Sequence, residues 1–86
     1  MADLTVNVVS ADKQVWSGEA AQVTARTTEG EIGILPGHEP VLAILASGQV
    51  RVRQSNGSVV EATAEDGFLS VENDTVTIVS RNAALA

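Results

Sequence analysis

The chain has 86 residues, no cysteine and a formal net charge of −6. This length supports one domain with one modest core, and no disulfide or thiolate metal site can reinforce it. The acidic balance argues against nucleic acid, whose binding draws on clustered Lys and Arg, while a 44 % apolar but 2 % aromatic composition points to strands with thin aliphatic packing.

Leu4, Val6 and Val8 alternate with Thr5 and Asn7, the period-2 pattern of a half-buried strand. Ala11-Asp12-Lys13 reads as a turn, Gln14-Val15-Trp16 resumes a strand, and Ser17-Gly18 marks a bulge or bend. From Glu19 to Thr27 the alternation returns, with Ala21, Val23 and Ala25 on one side. Thr28-Glu29-Gly30-Glu31 is a tight turn, and Ile32 and Ile34 form a short return strand.

Val41-Leu42-Ala43-Ile44-Leu45 is a nearly continuous apolar run, read as a strand for its shortness and β-branched content. Ser47-Gly48 predicts a turn. Val50 and Val52 then alternate with Arg51 and Arg53, two arginines on one strand face that do not amount to a basic stripe. Asn56-Gly57 is a strong hairpin signal, and Val59 to Ala64 pairs back. Asp66-Gly67 predicts another turn, Phe68 to Val71 a strand, Glu72-Asn73-Asp74 a turn, and Thr75 to Val79 the closing strand. Asn82 is a candidate N-cap for a helix over the last residues.

The pattern predicts an all-β domain, an antiparallel β-sandwich or flattened barrel of about 8–10 short strands. Leu4, Val6, Val8, Val23, Ile34, Leu42, Ile44, Val52, Phe68, Leu69, Val71 and Ile78 are its expected core. The start has neither a basic n-region nor an apolar h-region, and no apolar run approaches the ~20 residues that span a bilayer. A soluble intracellular chain without direct membrane insertion is expected.

Gly30 to Pro40 gathers three glycines, two prolines and the only histidine. Gly permits φ > 0 and Pro fixes φ, so this segment specifies one chain path, with Gly33 or Gly37 in glycine-only conformations. It has no Lys or Arg for a phosphate, and its glycines do not follow nucleotide-binding spacing. His38 reads first as a structural hydrogen-bonding residue, then as an interface contact. Glu29, Glu31 and Glu39 sit where desolvation is weak, which disfavours acid–base work. Trp16 reads as core or edge packing, with a binding anchor as the alternative. No serine occupies a nucleophile elbow and no second metal ligand accompanies His38, so neither cofactor, metal nor catalytic residues are expected.

The order of these segments resembles the epsilon subunit family of F-type ATP synthases, called delta in mitochondria. The resemblance rests on Val8-Val9-Ser10-Ala11-Asp12, Trp16-Ser17-Gly18, the corner from Glu29 to Pro40, and Gly67 to Val71 followed by Val76 to Val79. It is collinear over nearly the whole chain. It implies a β-sandwich domain over 1–81, with 82–86 beginning a C-terminal helical region that is otherwise missing. It also implies a non-catalytic central-stalk rotor subunit in a hetero-oligomeric complex, peripheral to the cytoplasmic face of the cell membrane. Its partners would be the gamma subunit and the c-subunit ring. By resemblance, Glu29, Gly30 and Glu31 face the ring, and Ser10, His38 and Ala43 face gamma. Inhibitory and nucleotide-sensing behaviour belongs to the family's C-terminal helices and is not expected here. The competing reading is a free-standing β-sandwich module for carbohydrate or protein, although aromatic platforms are scarce.

Overall fold

The alternating apolar positions become seven strands in the computed structural model, which describes residues 3–10 and 13–85. They are β1 (Leu4–Ser10), β2 (Lys13–Ala20), β3 (Gln22–Thr27), β4 (Gly30–Ile34), β5 (Val41–Arg53), β6 (Val59–Glu72) and β7 (Thr75–Leu85). Hydrogen bonding orders them β2-β1-β7-β6-β5-β3-β4 in one sheet. Every neighbouring pair is antiparallel except β1 and β7, which run parallel. The chain is all-β, and no helix occurs among the described residues.

One sheet makes two layers because β5 and β6 bend together. Leu45 pairs with Gly67, and pairing resumes at Gly48 with Ala64. Across the bend the buried positions change parity: Leu45 but Val50 and Val52 on β5, Ala62 and Ala64 but Leu69 and Val71 on β6. A one-residue offset exchanges the faces of a strand. Here it keeps the same side inward while the strand turns a corner, and Asp66 supplies a left-handed residue at φ 53°. The turns expected at Ser47-Gly48 and Asp66-Gly67 are therefore bends within continuous strands. Pairing on both sides of the bend outweighs the local signal for chain reversal. This is why seven strands stand where the sequence predicts more, since each long strand contributes two straight segments.

The first layer contains β2, β1, Thr75–Ser80 of β7, and the parts of β6 and β5 beside them. The second contains β4, β3 and the remaining parts of β5 and β6. Asn82–Leu85 join this second layer by pairing with Ala62–Glu65, so the residues read as a possible helix start continue β7. The open backbone groups of β6 need partners, and that demand overrides the weak local helix signal. The turn read at Ala11-Asp12 lies outside the described residues.

The layers enclose a core that includes Leu4, Val6, Val8, Val23, Ile34, Val52, Leu69, Val71 and Ile78, none more than 1 % exposed. Leu42, Ile44 and Phe68, expected in the core, are instead 69 %, 59 % and 40 % exposed. In the run from Val41 to Leu45, composition does not set parity. The pairing of Ala43 with Leu69 decides it and turns Leu42 and Ile44 outward. Ser17-Gly18 is not a bulge. It lies within β2 as the seat of the half-buried Trp16 ring, whose Cη2 would stand 2.8 Å from a Cβ at Gly18. The irregularity in this strand pair falls between Val8 and Val9.

Two buried hydroxyls secure the irregular places. Ser80 Oγ accepts from the N–H groups of Glu65 at 2.8 Å and Asn82 at 3.2 Å, and has the Glu65 and Asn82 carbonyls within donating reach. Thr27 Oγ1 donates to the Gly30 carbonyl at 2.6 Å and accepts the Glu29 N–H at 3.2 Å. Both satisfy groups that the bend and the turn leave out of the ladders.

Candidate functional site

The Thr27 hydroxyl fixes the β3–β4 turn from within, and Gly30 at φ 119° completes it. Glu29, Gly30 and Glu31 are all exposed there, on the hairpin that includes edge strand β4. Glu31 lies across from Arg26. The Thr28 N–H donates to the Ile44 carbonyl at 3.0 Å, which anchors this hairpin beside β5.

The Gly/Pro corner follows β4. The His38 N–H closes a turn onto the Leu35 carbonyl at 3.1 Å, and Gly37 has φ 87°. The Gly37 N–H donates to Asp74 Oδ1 at 2.7 Å, tying the corner to the β6–β7 hairpin. That hairpin turns through Asn73 and Asp74, both left-handed at φ 50° and 58°, as a tight two-residue connection requires. His38 is half-buried, and its Nδ1 donates to the Glu39 carbonyl at 2.7 Å, the structural role that the sequence favours. Gly33 differs from Gly37. It has no positive φ, and an added Cβ would meet only Gln22 Nε2 at 3.7 Å, so Gly37 alone of the two needs glycine.

The outer face of the first layer carries a feature that the sequence reading misses. Val9 aligns with Val79, Val79 with Phe68, and Phe68 with Ile44, giving an unbroken apolar row across β1, β7, β6 and β5. Leu42 extends it in the next row, beside Ser70, Thr77 and Asn7. Ser10 follows Val9 at the β1 end but has the opposite facing: it pairs with the buried Ser80, and its Oγ accepts the Ala83 N–H at 3.1 Å. Ala43 lies between Leu42 and Ile44 but is half-buried and pairs with the buried Leu69. His38 belongs to the other end, near Asp74. Ser10 and His38 are thus not one cluster. They flank the apolar face from opposite ends of the Thr75–Ser80 segment, about 16 Å apart along it at ~3.3 Å per residue.

The missed signal was four apolar doublets: Val8-Val9, Ile44-Leu45, Phe68-Leu69 and Ile78-Val79. In a strand, neighbouring residues face opposite sides. A doublet therefore means that both faces are apolar, and only one can be core.

Other chemistry is sparse. Among the described residues no three of His, Cys, Asp and Glu are grouped to hold a metal. No helix there is long and apolar enough to cross a membrane. Trp16 packs partly against the core, so it offers no free aromatic platform.

The features the fold presents are thus surfaces: a two-layer aliphatic sandwich with an apolar outer row and an acidic hairpin whose turn Thr27 bonds from within. The family model for the ATP synthase, Delta/Epsilon chain, beta-sandwich domain matches residues 3–86, and the chain belongs to that family. The ATP synthase epsilon chain of Micrococcus luteus is 52 % identical over 85 residues, covering 99 % of this chain and 93 % of the relative. That of Streptomyces avermitilis is 48 % identical, covering 99 % of this chain and 68 % of the relative. Among solved structures, a chain of the Euglena gracilis mitochondrial ATP synthase OSCP/F1/c-ring assembly superposes with a TM-score of 0.92 at 29 % identity. The match covers 99 % of this chain but 54 %, about half, of the Euglena chain. A chain of the Tetrahymena thermophila mitochondrial ATP synthase central stalk and c-ring shares the fold, with a TM-score of 0.77 at 19 % identity over 95 % of this chain and 66 % of its own.

Proposed function

We propose that this chain is a non-catalytic rotor subunit of the F1Fo ATP synthase central stalk. It couples proton-driven rotation of the c-ring to gamma, and so to ATP synthesis from ADP and phosphate on other subunits. The observation that carries this reading is the row Val9, Val79, Phe68 and Ile44 with Leu42 beside it. A contiguous apolar face on a small acidic domain marks a surface that a partner covers. In this reading gamma covers it, with Ser10 and His38 at its ends and Ala43 beneath it. The hairpin Glu29-Gly30-Glu31 rests on the c-ring, where its internally bonded turn transmits force without yielding. The chain is then held at the cytoplasmic face of the membrane by its partners, without inserting. A closely packed sandwich suits this mechanical task because such interiors deform little.

Binding of variants to purified gamma and to isolated c-ring tests the proposal. Phe68→Asp is expected to weaken gamma binding at least about tenfold, as loss of a central anchor does, while leaving ring binding intact. Glu31→Lys is expected to do the reverse. Wild-type binding of gamma by a folded Phe68→Asp variant would refute the assignment of that face.

A further inference from the structure

The outer face of the second layer is polar where that of the first is apolar. It holds a trough of about 750 Å³ lined by Arg26, Arg51 and Arg53. These are three of the five Lys and Arg residues in a chain of net charge −6. Strand periodicity brings them together. Val23 and Ala25 are buried on β3 and Val50 and Val52 on β5, so Thr24 and Arg26 face out beside Arg51 and Arg53. Thr24 pairs with Arg51 and Gln22 with Arg53. The two β5 arginines are one side-chain repeat apart, about 6–7 Å. Arg26 stands beyond Arg51 on the side away from Arg53, beside Gly48, where its Cδ would lie 3.7 Å from an added Cβ, an ordinary contact.

The three cations are not equally engaged. Arg26 has Glu31 opposite, and Arg51 Nε lies 3.6 Å from Glu61 Oε1. That pair is solvent-exposed, and such pairs are weak and readily exchanged. Arg53 faces the neutral Gln22 and Val59, and among the described residues it makes no salt bridge. The trough therefore keeps an excess positive charge inside a chain whose overall field is negative.

We infer that this trough binds a compact phosphate-bearing anion from solution, seated between Arg51 and Arg53. Planar guanidinium forks match phosphate oxygens two at a time. The carboxylates of Glu31 and Glu61 line the same trough and oppose a broad anionic surface such as a bilayer. A small ligand between Arg51 and Arg53 displaces only the exposed Glu61 pair, while Glu31 lies opposite Arg26 at the far end. This site lies on the opposite layer from the apolar row and meets the Glu29-Gly30-Glu31 hairpin only at its Glu31 end.

The test is a titration of the full chain with inorganic pyrophosphate at low ionic strength, followed by amide chemical shifts. Saturable shifts are expected at Thr24, Gly48, Arg51 and Arg53, with none at Lys13 or Arg81. Arg51→Gln and Arg53→Gln should each raise the Kd about three- to tenfold, as loss of an exposed charge-assisted contact does. Arg81→Gln should leave it unchanged. All these side chains are exposed, so the variants retain the fold. Shifts that fail to saturate, or that spread equally to Lys13 and Arg81, would overturn the site. Sedimentation with phosphatidylglycerol vesicles is the second arm. Arg53-dependent sedimentation without any pyrophosphate response would show a lipid headgroup site and overturn the assignment to a soluble ligand.

Discussion

Replacing Gly67 by Ala tests the bend that makes one sheet into two layers. A Cβ at this position would overlap the Val79 carbonyl oxygen and stand 2.6 Å from Ser80 Cα and 2.8 Å from the Val79 carbonyl carbon. Carbon atoms pack favourably at about 3.5–4.0 Å, so β6 and β7 must part by roughly 1 Å. The obstructing atoms are backbone of a paired strand, so no side-chain rotation relieves them. Overpacking alone costs about 1–3 kcal/mol. Parting the strands also loosens the Gly67–Ser80 pairing and the Ser80 hydrogen bonds beside it, each worth about 1 kcal/mol. A total near 3 kcal/mol follows, and at ~4–8 °C per kcal/mol for a domain of this size the melting midpoint should fall by about 12–24 °C. Thermal and urea unfolding followed by circular dichroism measure it. Gly33→Ala is the internal control: its Cβ meets only Gln22 at 3.7 Å, so stability should hold or rise by up to about 1 kcal/mol through a less flexible unfolded chain. A Gly67→Ala protein melting within about 4 °C of wild type would refute the steric argument.

Three further outcomes are expected. Ser80→Ala should lower stability by about 1–3 kcal/mol, because the Glu65 and Asn82 N–H groups lose their buried acceptor; urea midpoints give the value, and a neutral result would mean that water replaces the hydroxyl. Gly37→Val should cost more than ~1 kcal/mol, since a β-branched side chain resists φ 87°; an unchanged melting temperature would show that the corner relaxes freely. In ring binding across a salt series, the defect of Glu31→Lys should shrink as salt rises, because exposed charges are screened over ~8–10 Å. The gamma defect of Ile44→Asp should persist at all salt concentrations, and equal salt dependence of the two would remove the distinction between the surfaces.

Much of this architecture was legible in the sequence. Alternation in Leu4-Thr5-Val6-Asn7-Val8 sets both the strand and its buried side, because side chains in a strand change face at every residue. Asn56-Gly57 and Glu29-Gly30 set turns because the backbone demands φ > 0 there, which glycine meets without strain: Gly57 has φ 91° and Gly30 φ 119°. The corner, in order with the segments beginning at Val8, Trp16 and Gly67, was enough to indicate the family. Tertiary structure decided what local pattern leaves degenerate. Ser47-Gly48 and Asp66-Gly67 carry turn chemistry, yet mutual pairing of β5 and β6 makes them a shared bend. Asn82 to Leu85 have little local preference, and the free edge of β6 makes them strand. Leu42, Ile44 and Phe68 are apolar enough for any core, but only the register of Ala43 against Leu69 says which face the fold encloses. Local sequence fixes torsion angles and periodicity, whereas the choice of buried face depends on pairings between residues distant along the chain. The four apolar doublets announce a second apolar face, but pairing of the four strands is what aligns it into one row.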